Sequence, residues 1–252
     1  MAILVFAGPA SADDTLCRTE GPVFAAQGAL NALASKLSGH KPIQILAIGS
    51  SSTEGIGASA PQLSYPAQLE NDLTGLWNEK VTVINAGRGG ETAVQTIDRL
   101  QAALTTSKFD LVIWQVGTND AVNGVDEGRF REILERGISA AKTAGVDMIL
   151  LDQQYFPTIK DPARYETFVK TVSTVGSERK VSVFSRYALM KQWNDHSASD
   201  LRGMLSADGF HMGDRGYDCL ASLIAQELQT MAADSIAGAE PLSKTVASAR
   251  RR

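Results

Sequence analysis

Histidine is scarce in this chain, at positions 40, 196 and 211 only, so chemistry that needs an imidazole has three places to reside. A serine hydroxyl becomes a nucleophile when a neighbouring base takes its proton. That base works best when a carboxylate on its other ring nitrogen holds it in one tautomer. In Asp208-Gly209-Phe210-His211 the carboxylate precedes the histidine by three residues, across a turn containing glycine, a spacing that lets it fold back onto the ring. His40, beside Lys41 and Pro42, reads as a surface loop residue; His196 directly follows Asp195, and adjacent side chains orient poorly toward each other. An Asp-x-x-His pair is common by itself, and an ordinary loop histidine would account for it. The pair carries weight only with partners.

Three further stretches could supply them. Gly49-Ser50-Ser51-Ser52-Thr53-Glu54-Gly55 follows an apolar run, so that a strand would deliver one of three serines to the mouth of a sheet. Asn85-Ala86-Gly87-Arg88-Gly89-Gly90-Glu91-Thr92 offers backbone N–H groups that no side chain shields. Gly117-Thr118-Asn119-Asp120 offers a side-chain amide. Donors of both kinds are what a developing oxyanion needs. Singly, each stretch has a plainer explanation: a serine-rich turn capping a helix, a tight turn with positive φ, an Asx-type cap. Other glycine patterns fail on context. Gly55-Ile56-Gly57 with Ala60 mimics a dinucleotide loop, but the second strand ends Asn85-Ala86-Gly87, without the acidic residue a ribose requires. No Gly-Lys-Ser/Thr ending marks a phosphate loop, and Thr53 stands where the Gly-x-Ser-x-Gly elbow needs its last glycine.

The elements that would position these stretches follow from hydrophobic periodicity. Runs at 43–49, 81–86, 111–116, 148–152 and 181–184 are short and almost continuously apolar, as in strands covered on both faces. Between them the period changes to that of amphipathic helices. Tyr65, Leu69, Leu73 and Leu76 share a face, as do Phe130, Ile133, Leu134, Ile138 and Ala141. So do Tyr165, Phe168, Val169 and Val172, and Tyr217, Leu220, Ala221, Ile224, Leu228 and Met231. Asp161 before Pro162 is an N-cap followed by proline at the first helical position. A further helix is expected at 23–37. Five strands alternating with helices predict an α/β fold, a single three-layer α/β/α domain around a five-stranded parallel sheet. Right-handed crossovers then put ligands at the C-terminal strand ends, where three of the four stretches lie.

Together and in this order the four stretches resemble the blocks of the SGNH (GDSL-type) hydrolase family, named for serine, glycine, asparagine and histidine. Residues 49–55 look like its Gly-Asp-Ser-x-Thr-x-Gly block, and alignment on Thr53 and Gly55 selects Ser51 as the nucleophile. Gly90 matches the oxyanion glycine, Asn119 the oxyanion asparagine, and Asp208 with His211 the Asp-x-x-His block. The resemblance covers residues 44–231. It implies a flavodoxin-like fold and a serine esterase acting on short-chain acyl esters, O-acetyl esters of glycans or small molecules among them, with no metal or cofactor. The oxyanion hole would comprise the Ser51 N–H, the Gly90 N–H and Asn119. Ser50 departs from the family, which has aspartate there. The alternative is a catalytically silent domain of this fold that binds a glycan or a partner protein. Decay usually removes a catalytic residue, and none is missing, so the enzyme is the expectation.

Composition narrows the partners. A net charge of −4 with 21% charged residues offers nothing to nucleic acid, and Arg250, Arg251 and Arg252 read as a solvated tail. The 44% hydrophobic share suffices for a sizeable core. Residues 2–7 are apolar and Ala10-Ser11-Ala12 resembles a small-residue cleavage site, so 1–12 is expected to be a truncated export signal and the location periplasmic or secreted. That run is too short for stable membrane insertion, which needs about 20 apolar residues. Residues 13–40 then form an N-terminal extension with a helix, 41–232 the hydrolase domain and 233–252 a flexible tail. Cys17 and Cys219 would form one disulfide if exported, or remain two thiols; their spacing fits no metal site. Arg88, Asn123, Phe156, Trp193, Phe210 and Met212 lie near strand ends or the histidine turn, and loop packing or exposure is expected of each rather than a pocket.

Overall fold

A computed structural model describes residue 17 and residues 19–249, with side chains through 238; the segment 1–12 expected to be an export signal lies outside the described residues. Six strands form one sheet: β1 (Phe24–Ala25), β2 (Ile43–Gly49), β3 (Val81–Gly87), β4 (Leu111–Gln115), β5 (Asp147–Leu151) and β6 (Ser182–Phe184), in the order β1-β6-β5-β4-β2-β3. The five apolar runs pair in parallel, as expected. The sheet is nevertheless six-stranded and mixed, not five-stranded and parallel, because Phe24 and Ala25 pair antiparallel with Phe184 and Val183. Two residues are too few to leave a periodic signal, yet they cover an edge of β6 that would otherwise stay open to other chains.

Alternation along each strand builds two cores. From β2, Ile43, Ile45 and Ala47 enter one and Leu46 and Ile48 the other, because successive side chains leave a strand on opposite faces. The first core is closed by α1 (Asn31–Ser38), α3 (Tyr65–Trp77), α8 (Arg186–His196), α9 (Ala198–Met204) and α10 (Asp214–Ala249). The second is closed by α4 (Ala93–Thr106), α6 (Glu127–Ala144) and α7 (Pro162–Arg179). Two short helices, α2 (Ser51–Glu54) and α5 (Thr118–Val122), sit directly after β2 and β4. The result is three layers. The Asp161 carboxylate caps α7 by accepting the Arg164 N–H at 3.0 Å, with Pro162 at the first position.

Chain direction explains where a site can form. The path from β2 to β3 crosses one face through α3, and the path from β3 to β4 crosses the other through α4. Right-handed crossovers therefore diverge between β2 and β4, and the crevice at their C-terminal ends is a topological switch point.

Two helix boundaries and one burial differ from expectation. The N-terminal helix starts at Asn31 rather than 23, because residues 24–25 join the sheet and the Gln27 N–H donates to Ser182 Oγ at 2.8 Å. Leu76 is half-exposed despite its place in the apolar stripe of α3. The last helix runs to Ala249, carrying helical backbone into the stretch 233–252 that sequence suggested as a tail. Among the described residues no helix is long and apolar enough to cross a membrane. Cys17 and Cys219 form a disulfide that ties the N-terminal segment to α10, with Cys219 fully buried.

Candidate active site

β2 ends at Gly49 and the chain turns at once into α2, whose first residue is Ser51. The three adjacent serines separate by their partners. Ser50 is buried and gives both its N–H (2.8 Å) and its hydroxyl (3.1 Å) to Gln115 Oε1. Ser52 is buried and donates to Gln154 Oε1 at 2.9 Å. Ser51 alone presents its Oγ to an imidazole, 2.9 Å from His211 Nε2. Gln115 also accepts from Thr53 Oγ1 at 3.2 Å, so the small hydroxyl at 50, where the family has aspartate, is held by a strand side chain.

His211 is oriented locally. Its Nδ1 lies 2.6 Å from Asp208 Oδ2, while Asp208 Oδ1 accepts the Ser206 hydroxyl (2.8 Å), the Phe210 N–H (2.8 Å) and the His211 N–H (2.9 Å). Burial pushes the Asp208 carboxyl up, but the hydrogen bonds from His211, Phe210 and Ser206 outweigh it and hold the group well below the usual carboxylate range. Phe210 stands edge-on to the His211 ring, with centroids 4.7 Å apart. Gln154, also buried, joins the two halves: it accepts from Ser52 through Oε1 and donates through Nε2 to the Phe210 carbonyl at 2.9 Å. The other histidines are remote from this arrangement, His40 on Glu79 at 2.7 Å and His196 on Asp200, both exposed.

The glycine stretch packs against α2. A Cβ at Gly87 would fall 1.9 Å from the Glu54 backbone N, so no other residue fits there without moving the loop. The Gly89 N–H donates to Glu54 Oε2 at 2.6 Å. Gly90 has φ +78° with open space where a Cβ would stand; that conformation disfavours other residues and leaves the backbone approachable. Among the described residues, neither the Gly90 N–H nor the Ser51 N–H, the latter at a helix start where donors lack intrahelical partners, has a protein acceptor. Asn119 Nδ2 donates to the Glu91 carbonyl at 2.8 Å, which orients the amide and leaves its second hydrogen unused. Asp120, buried beside it, accepts the Ala93 N–H at 2.9 and 3.1 Å; burial raises its carboxyl to about 6 despite those bonds.

Of the five residues singled out from sequence, the structure joins Ser51, His211 and Asp208 by direct contacts, and ties Asn119 to the loop of Gly90, which packs against α2, through the Glu91 carbonyl. Gln115, Gln154 and Glu54 were missed. Gln115 had left a signal, a polar residue ending the apolar run Leu111–Gln115; Gln154 and Glu54 had left none. Of the residues considered as pocket walls, Met212 packs inward from its turn and Arg88 and Asn123 are exposed, as expected, whereas Trp193 is a core residue of α8. Phe156 and Phe210 instead help line a cavity of about 590 Å³ with Asn119, Val122, Ile159 and Tyr165. A larger groove of about 830 Å³ between α4 and α6 contains none of the site residues, and chemistry rather than size decides between them. Among the described residues no cluster of three or more His, Cys, Asp or Glu side chains is arranged for a metal ion.

A model of the non-GDSL lipase-like family matches residues 16–234. The chain is 25% identical over 167 residues to esterase TesA of Pseudomonas aeruginosa, covering 66% of this chain and 78% of that one. It is 26% identical over 196 residues to thioesterase 1/protease 1/lysophospholipase L1 of Escherichia coli, covering 74% and 84%. The crystal structure of a two-domain esterase active on acetylated mannans superposes with a TM-score of 0.69 at 21% identity, over 83% of this chain and 56% of the other.

Proposed function

Since the chain belongs to the non-GDSL lipase-like family and is an ester hydrolase of the SGNH type, we propose that it cleaves short-chain acyl esters by double displacement through Ser51. His211 Nε2 takes the Ser51 proton as Oγ attacks the ester carbonyl. The carbonyl oxygen becomes an oxyanion, met by the Ser51 N–H, the Gly90 N–H and Asn119 Nδ2. The tetrahedral intermediate collapses, the bond to the alkoxide breaks, and His211 returns its proton to the departing alcohol. Water then gives a proton to His211 and attacks the acyl-serine; collapse releases the acid and returns the proton to Ser51. Asp208 keeps Nε2 free to accept and stabilises the imidazolium. The single observation that carries this reading is the unbroken line Ser51 Oγ, His211 Nε2, His211 Nδ1, Asp208 Oδ2, with contacts of 2.9 and 2.6 Å.

The mainly apolar cavity bounded by Asn119, Phe156 and Phe210 supports an acyl or alcohol group larger than acetyl on that side. Activity on acetylated mannans belongs to the two-domain esterase; O-acetyl glycans are proposed here as one substrate class. The Cys17–Cys219 disulfide supports an oxidising location such as the periplasm or the cell exterior. Turnover of p-nitrophenyl esters of increasing chain length, beside acetylated oligosaccharides, would rank the substrates. In the same assay Ser51→Ala is expected to lose about 10⁴-fold or more in kcat, and a fluorophosphonate adduct is expected on the Ser51 peptide. Near-parental turnover by that variant would refute the assignment, and no adduct would favour a binding domain.

A further inference from the structure

One guanidinium ties the ends of β2 and β3 to the glycine loop on the oxyanion side of the site. Arg99, on α4, donates from Nη1 to the Ala86 carbonyl (2.7 Å) and from Nη2 to the Gly49 carbonyl (3.2 Å), near the ends of β3 and β2. Its Nε lies 3.1 and 2.9 Å from the two carboxylate oxygens of Glu91, which Nη2 also meets. Both side chains are mostly buried, 19% and 14% exposed. The backbone carbonyl of the same Glu91 receives the Asn119 amide at 2.8 Å. Ser51 follows Gly49 by two residues and Gly90 immediately precedes Glu91. Each of the three oxyanion donors is thus at most two residues or one hydrogen bond from a group that Arg99 holds.

We propose that Arg99, through Glu91, is a positioning residue that sets the Ser51, Gly90 and Asn119 donors in register, a role that rests on the acyl-transfer reading above. Two strand-end carbonyls and a carboxylate need a planar donor fork, which arginine supplies and lysine cannot. Without it the carbonyls of β2 and β3 lose their common partner, and the glycine loop and Asn119 shift together. Donors aimed at charge that develops only in the transition state act on kcat and leave substrate binding alone.

The test compares Arg99→Met, Arg99→Lys and Glu91→Gln in the full chain. It uses p-nitrophenyl acetate kinetics, the affinity of a phenylboronic acid that mimics the tetrahedral intermediate, and thermal melting. Arg99→Met is expected to lower kcat about 10²-fold with KM within about twofold, boronate affinity falling in parallel. Arg99→Lys, which retains the charge and the fold, is expected to recover less than about tenfold of that loss. Glu91→Gln, which keeps an acceptor but no charge, should fall between. Combined with Asn119→Ala, Arg99→Met should lose much less than the product of the single losses, since both act on one donor set. Parental kcat in both Arg99→Lys and Glu91→Gln, multiplying losses in the double variant, or lowered melting with unchanged boronate affinity would overturn the proposal. Ser51→Ala separates the two levels: turnover surviving in it sinks the acyl-transfer reading itself, whereas a dead Ser51→Ala beside unaffected Arg99 variants removes only the positioning role.

Discussion

Replacing Asp208 by asparagine keeps the shape of the turn and should nevertheless disable the histidine, for a reason the hydrogen bonds make explicit. Oδ1 accepts two backbone N–H groups and a hydroxyl, while Oδ2 alone faces His211 Nδ1. In the variant the amide oxygen must take the Oδ1 place, because an NH₂ group there would confront the Phe210 and His211 N–H donors. The turn is open to solvent, so losing those two bonds costs about 1 kcal/mol each, and the orientation is held by roughly 2 kcal/mol, about 30-fold in population. The NH₂ group then donates to Nδ1, the ring proton moves to Nε2, and the nitrogen facing Ser51 Oγ can no longer accept. Adding the lost charge beside the imidazolium, kcat/KM should fall by about 10⁴. The assay is hydrolysis of p-nitrophenyl acetate near neutral pH, beside a thermal melt that should stay within a few degrees of parental. Activity within about tenfold of parental, with the melt unchanged, would refute the reasoning, because the proton path would not depend on the tautomer that Asp208 selects.

Asp120 gives a pH dependence with a definite sign. Its folded carboxyl is raised to about 6 by burial, so between roughly pH 4 and 6 the folded state binds more protons and stability falls as pH rises through that window, by about 3 kcal/mol. Asp120→Asn should lack that fall, so its stability curve should diverge from the parental one across the window in urea titrations; parallel curves would show that Asp120 is not the source. The disulfide closes a loop across a sequence separation of 202, worth about 5 kcal/mol in the chain-entropy account. Cys17→Ser, or reductant, should therefore lower the melting temperature by many degrees, and an unchanged melt after both thiols have been labelled would disprove the contribution.

The sequence by itself determined what depends on neighbours along the chain. Strand runs such as 43–49 declared their burial on both faces by being continuously apolar, and the cap at Asp161-Pro162 declared where a helix starts. Asp208 and His211 could be paired because three residues and a glycine turn are enough to close that contact. Tertiary structure decided whatever joins distant segments. Ser51 and His211 are 160 residues apart; the resemblance pointed to Ser51 among three serines, but only the converging end of β2 and the turn before α10 bring its hydroxyl to the ring. Gln154 and Arg99 looked like ordinary polar residues, since their meaning lies in carbonyls and hydroxyls from other strands and loops. The edge strand at Phe24–Ala25 was illegible for the opposite reason: two residues carry no period, and their pairing is written in the open edge of β6. Local sequence encodes side-chain type and periodicity, whereas the closing of a long loop is the sum of many burial terms that no single segment contains.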